Sequence, residues 1–141
     1  MNKKLLSMAL TLCMILSLLP VTALAAETDK IPYIKREWEN GQLNEINDTI
    51  SADSVTEVTS DDTDWGDEAK EHTWYVARGV ITINNSVTVK GNVHLILADG
   101  CKLTVTTSVD NKAGINVEAG NSLTIYGQYQ GTGELNATGN K

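Results

Sequence analysis

The chain has 141 residues and a net charge of −7, with no phenylalanine, three tryptophans, four tyrosines and two cysteines. That length suits one small domain. Without a basic stripe to neutralise phosphates, nucleic acid and anionic membrane surfaces are disfavoured as partners.

The first segment reads as an export signal. Lys3 and Lys4 precede an apolar run from Leu5 to Leu19, Pro20 breaks it, and Ala23-Leu24-Ala25 supplies a small-x-small cleavage site. This is the layout of a secretory signal peptide over residues 1–25. The competing reading is a membrane anchor. It fails on length, because the run falls short of the roughly 20 residues that span a bilayer. No later stretch is apolar enough to span, so the expectation is an extracellular or cell-surface protein with no membrane span after cleavage. Cys101 is then the only cysteine left, so no intrachain disulfide can form, and it reads as a small packing residue.

Residues 26–72 are expected to form an acidic, largely irregular N-terminal arm or cap. Between 27 and 72 there are 14 Asp and Glu against 4 Lys and Arg, a net −10. Trp38-Glu39-Asn40-Gly41 reads as a turn and Gln42–Ile50 as a short helix. Ser51–Glu71 is rich in Ser, Thr and Asp, the composition of a solvated linker. The sharper alternative is a polar cap over a first coil, sealed by Trp65 and Trp74.

From residue 73 to 141 the texture changes. Short alternating apolar runs at Tyr75–Ala77, Val80–Ile83, Val87–Val89, Val93–Leu97, Leu103–Val105, Ile115–Val117 and Leu123–Ile125 are separated by Gly, Asn and Asp. Period-two alternation between turn residues is the strand signal. A 20-residue offset aligns Gly100 with Gly120, Leu103 with Leu123 and Val105 with Ile125. A fixed period of that size predicts an all-β, parallel β-helix-like solenoid of about 20 residues per coil. The repeat breaks off near Asn136–Lys141. The C-terminal coil edge is therefore expected to be covered by further coils or by a partner chain, and the chain to be a piece of something longer.

The segments Val93-His94-Leu95-Ile96-Leu97-Ala98-Asp99-Gly100 and Gly120-Asn121-Ser122-Leu123-Thr124-Ile125-Tyr126, with Gly131-Thr132-Gly133, resemble the opening coils of large surface proteins of Gram-positive gut bacteria. Those are carbohydrate-binding-domain-like or adhesin-like β-helix proteins. The resemblance spans residues 74–138. It implies a cell-surface role, further Gly-rich coils and wall attachment, but it brings no catalytic residues.

The chemistry on offer is sparse. The solenoid part holds Asp99, Asp110, Glu118 and Glu134, scattered rather than paired, and one arginine, Arg78. Two-carboxylate glycosidase chemistry has no evident site, so no enzyme is expected, and a polysaccharide lyase or hydrolase is the remote reading. Asp61, Asp62, Asp64 and Asp67 form the densest carboxylate run and are the candidates for calcium. The run fails the EF-hand pattern because Gly66 falls too early, so solvated surface charge is the favoured reading; no cofactor is expected, with calcium left open. His72 and His94 lie 22 positions apart. His94 alternates with Val93 and Leu95 and reads as an exposed strand residue rather than a metal ligand. Trp74, Tyr126 and Tyr129 are the candidates for stacking on sugar rings; the competing role is packing over coil corners or a cap. The sequence thus predicts a non-catalytic surface module for adhesion or display, or alternatively a carbohydrate-binding module that recognises a polysaccharide or host surface through exposed aromatics.

Overall fold

The computed structural model describes residues 29–141, so the expected signal peptide at 1–25 lies outside the described residues. The chain is mostly β, with parallel sheets. Among the described residues no helix is long and apolar enough to cross a membrane.

The acidic arm departs first from expectation. Strands β1 (Lys30–Glu39) and β2 (Gln42–Ser51) form an antiparallel hairpin, in register from Lys30↔Ser51 to Glu39↔Gln42. The turn was foreseen. Asn40 (φ 54°) and Gly41 (φ 79°) both adopt positive φ, which makes a two-residue loop of the mirror type that matches strand twist. The helix expected over Gln42–Ile50 does not form: that segment is β2. Leu43, Ile46 and Ile50 have helical spacing, but the Asn-Gly turn and pairing with β1 decide the backbone, and Leu43 and Ile46 remain exposed on the hairpin.

After a single 3-10 turn at Ala52–Ser54 come β3 (Val55–Glu57) and β4 (Asp64–Gly66). They are followed by β5 (Thr73–Ala77), β6 (Val80–Ile83), β7 (Val87–Lys90), β8 (Asn92–Leu97), β9 (Lys102–Asp110), β10 (Ile115–Val117), β11 (Ser122–Gly127) and β12 (Glu134–Asn140). Three sheets result, with strand orders β11-β8-β5-β3, β10-β7-β4 and β12-β9-β6. Every pairing within them is parallel. From β5 onward the chain visits the sheets in fixed cyclic order: β5, β6, β7, then β8, β9, β10, then β11 and β12. Since β3 pairs with β5 and β4 with β7, the segment expected to be irregular is built into the same sheets.

The uniform 20-residue repeat is corrected by the register. Thr73 pairs with Val93, an offset of 20, but Asn92 pairs with Ser122 and Lys102 with Glu134, offsets of 30 and 32. Leu103 therefore aligns with Ile81 and Leu135, not with Leu123, which faces Val93. The added residues sit at the corners, in the lengthened β9 and in the loops before β10, β11 and β12. Parallel pairing is preserved while the sequence period grows.

Alternation sends one side of each strand inward. Val93, Leu95 and Leu97 of β8, Val87 and Val89 of β7, Ile83 of β6, and Leu103 and Val105 of β9 form one buried cluster. Cys101 joins it, and burial pushes its thiol pKa up, as suits a packing residue. The two ends of this stack differ. At the β4 end, Val58 and a fully buried Trp65 close it. At the β10–β11–β12 end, the equivalent inward residues are uncovered, with Val117 44% and Ile125 46% exposed. Gly66 permits the closed end. Its φ is +97°, and a Cβ there would lie 2.0 Å from the Lys90 carbonyl oxygen.

Candidate functional site

The opposite side of the four-stranded sheet carries different chemistry. Trp74 and Val76 of β5, Asn92, His94 and Ile96 of β8, and Tyr126 of β11 project away from the aliphatic core by the same alternation. Ile31 and Tyr33 of β1 lie over them, and these residues with Val76 and Ile96 form a second buried cluster. Trp74 stacks on His94 (centroids 4.4 Å apart, planes 16° apart) and on Tyr126 (5.5 Å, 18°). Tyr33 meets Trp74 at 5.1 Å and Tyr126 edge-on at 5.0 Å. Burial and the hydrogen bond its hydroxyl donates to Asp48 Oδ2 (2.9 Å) push the Tyr33 pKa up to about 12. The Thr49 N–H and that Tyr33 hydroxyl hold the Asp48 carboxyl below its usual range.

A polar chain leaves this stack. His94 Nδ1 lies 3.0 Å from the Tyr126 hydroxyl, and His94 Nε2 lies 3.1 Å from His72 Nδ1. Asn92 Nδ2 is 2.9 Å from the same His72 nitrogen, and Ser122 Oγ donates to Asn92 Oδ1 at 2.7 Å. Burial, then the neighbouring His72, lowers the His94 pKa. His72 sits in the loop just before β5, which puts it beside β8 because Thr73 pairs with Val93.

Beside the stack, the hairpin and the β11–β12 loop enclose an open groove of about 470 Å³. Arg36 and Glu45 line its hairpin side; Thr124, Tyr126, Tyr129 and Gln130 line the other. Gln128 holds the two sides together: its Nε2 donates to the Pro32 carbonyl oxygen (2.9 Å) and its Oε1 accepts from the Asp99 N–H (3.0 Å). Asp99 Oδ2 in turn accepts the Gln130 N–H at 3.0 Å, which shapes the loop. Tyr129 is 82% exposed, so its ring is free. Arg36 and Glu45 pair with each other at 2.8 Å and are both exposed.

Trp74 and Tyr126 are brought together as packing: the partly buried Trp74 ring is stacked on His94 and Tyr126 and met by Tyr33. Tyr126 and Tyr129 both line the groove, and Tyr129 is the exposed ring. Nor does Trp74 seal the end of the stack, a task that falls to Trp65. Of the four aspartates that are candidates for calcium, three are engaged locally. Asp62 accepts from Thr59 Oγ1 (2.6 Å) and from Trp65 Nε1 (2.9 Å), Asp64 pairs with Lys90 (2.9 Å), and Asp67 accepts the Ala69 N–H (2.9 Å). Nothing brings Asp61 to them, and among the described residues no three His, Cys, Asp or Glu side chains converge as a metal site.

Sequence reasoning missed Arg36 and Glu45, because reading Gln42–Ile50 as helix hid their pairing across the hairpin, and it missed the meeting of His72 with His94. The Asn40-Gly41 dipeptide was the signal that would have given the first. Comparison of the chain with family models, with curated proteins and with solved structures gave no match.

Proposed function

We propose that the chain is an exported, non-catalytic β-solenoid module of a bacterial surface protein, and that it serves adhesion by binding oligosaccharide in the groove beside Tyr129. The strand sets β5-β6-β7, β8-β9-β10 and β11-β12 visit the three parallel sheets in cyclic order and are read as successive coils of one solenoid. The observation that carries the binding reading is the groove itself. It sets an unpacked aromatic ring, Tyr129, beside an exposed amide, Gln130, and a hydroxyl, Thr124. An aromatic face for the apolar side of a sugar, with hydrogen-bonding groups around it, is the usual composition of a small-molecule cleft. Polysaccharide or a host glycan is the expected partner. The half-exposed row of Val117 and Ile125 supports a second feature, the covering of the β10–β11–β12 edge by further coils or a partner chain.

A glycan array followed by calorimetry tests the binding reading. The expected result is saturable binding to one class of oligosaccharide, weakened at least about tenfold by Tyr129→Ala, in line with a lost contact of ~1–2 kcal/mol. Absence of binding to any plant or host polysaccharide sinks the carbohydrate reading. Export is tested by the N-terminus of secreted protein, expected at Ala26 from the Ala23-Leu24-Ala25 site.

A further inference from the structure

We propose that His72, His94 and Asn92 form a surface chelate for a divalent transition-metal ion of the zinc class. The two imidazole nitrogens that face each other, His72 Nδ1 and His94 Nε2, are 3.1 Å apart. A metal about 2.05 Å from each would subtend an N–metal–N angle of about 98°, between the octahedral and tetrahedral values these ions adopt. The amide of Asn92 lies 2.9 Å from the same His72 nitrogen. Turning that amide over presents its oxygen there instead, and Ser122 Oγ tolerates the change because a hydroxyl both donates and accepts.

The surroundings of the two rings fit metal ligation. A ligating histidine usually donates its other N–H to an oxygen, which fixes the tautomer and ring angle. With a metal on Nε2, His94 Nδ1 would carry the hydrogen and donate it to the Tyr126 hydroxyl 3.0 Å away. His72 Nε2 faces Glu71 Oε1 at 3.8 Å. The Trp74 ring stacked on His94 holds that imidazole in place. The remaining coordination positions face solvent, because His72 and Asn92 are not buried. Imidazole donors select zinc, nickel or copper over calcium, which prefers carboxylate oxygens. The site adjoins the Tyr129 groove through Tyr126, which lines the groove and backs His94, but its ligands lie outside the groove and zinc binding does not depend on sugar.

The test is calorimetric titration of the untagged protein with zinc chloride, with calcium chloride as control, and with thermal melts to check folding. One zinc per chain is expected, with no heat from calcium. His72→Ala removes a loop residue that packs into neither cluster, so the fold stays intact while zinc affinity falls at least about 100-fold. Tyr126→Phe keeps the ring stack, removes the hydroxyl behind His94, and should weaken zinc by about tenfold. No binding at millimolar zinc, or binding that His72→Ala leaves unchanged, would overturn the proposal.

Discussion

The two faces of the β11-β8-β5-β3 sheet are made from the same strands yet held in different ways. Its inner face packs Val93, Leu95 and Leu97 against rows from the other two sheets, and the strands that carry those rows are tied by parallel ladders. Its outer face is covered by a hairpin that forms a sheet of its own. The hairpin is held through side chains: Ile31 and Tyr33 over Val76 and Ile96, and the Gln128–Pro32 hydrogen bond. Adjacent strands cannot separate without breaking a ladder, whereas a hairpin docked by side chains can lift off as a unit. The inner face therefore sets global stability, and the outer face sets whether the groove and the aromatic stack exist.

The comparison breaks hardest at the closed end. Gly66→Ala forces a Cβ into the Lys90 carbonyl at a φ disfavoured for alanine, with no flexible side chain to yield. Insoluble or unfolded protein is the expected outcome, read by circular dichroism. Leu95→Ala, fully buried among the inner rows, should cost about 2–5 kcal/mol in denaturant unfolding. Tyr33→Ala should leave the inner core folded but release the hairpin, seen as limited proteolysis between residues 30 and 51 with little change in the main melting transition. Such separate behaviour would sharpen the comparison, and loss of all structure would break it.

A subtler effect comes from pH. The folded-state pKa of Tyr33 is raised to about 12 from an ordinary 10, so its contribution is fully present below pH 10 and is lost as pH rises towards 12. Hairpin protection should decline over that window, and Tyr33→Phe, which cannot ionise, should remove the decline. The smallest effect is expected at Arg36→Ala. An exposed pair with Glu45 contributes about 0.2–1 kcal/mol, so the melting temperature should barely move.

Local signals made the inner face legible in the sequence. Alternation in Val93–Leu97 and Leu103–Val105, with glycine and asparagine between runs, located strands that the structure contains. The pairing between them was not legible, because loops of unequal length at the corners shift the register without disturbing alternation. That is how Leu103 came to be matched with Leu123 instead of Leu135. On the outer face, alternation placed His94 and Tyr126 correctly opposite the core residues, but it says nothing about what covers them. Alternation therefore leaves open whether Trp74 and Tyr126 stack on a sugar or pack under a cover; Tyr33, more than 40 positions away, lies against both. Tyr129, in a loop beyond the last inward residue of β11, was the one aromatic candidate whose exposure needed no knowledge of the hairpin.

The most direct test of the separation between the two faces is residue-resolved amide hydrogen exchange under native conditions. The account predicts that β1 and β2 open together at a lower free energy than β5, β8 and β9, and that Tyr33→Ala collapses protection in the hairpin alone. Hairpin amides as unprotected as an unstructured chain, or hairpin and core opening with one common free energy, would contradict it.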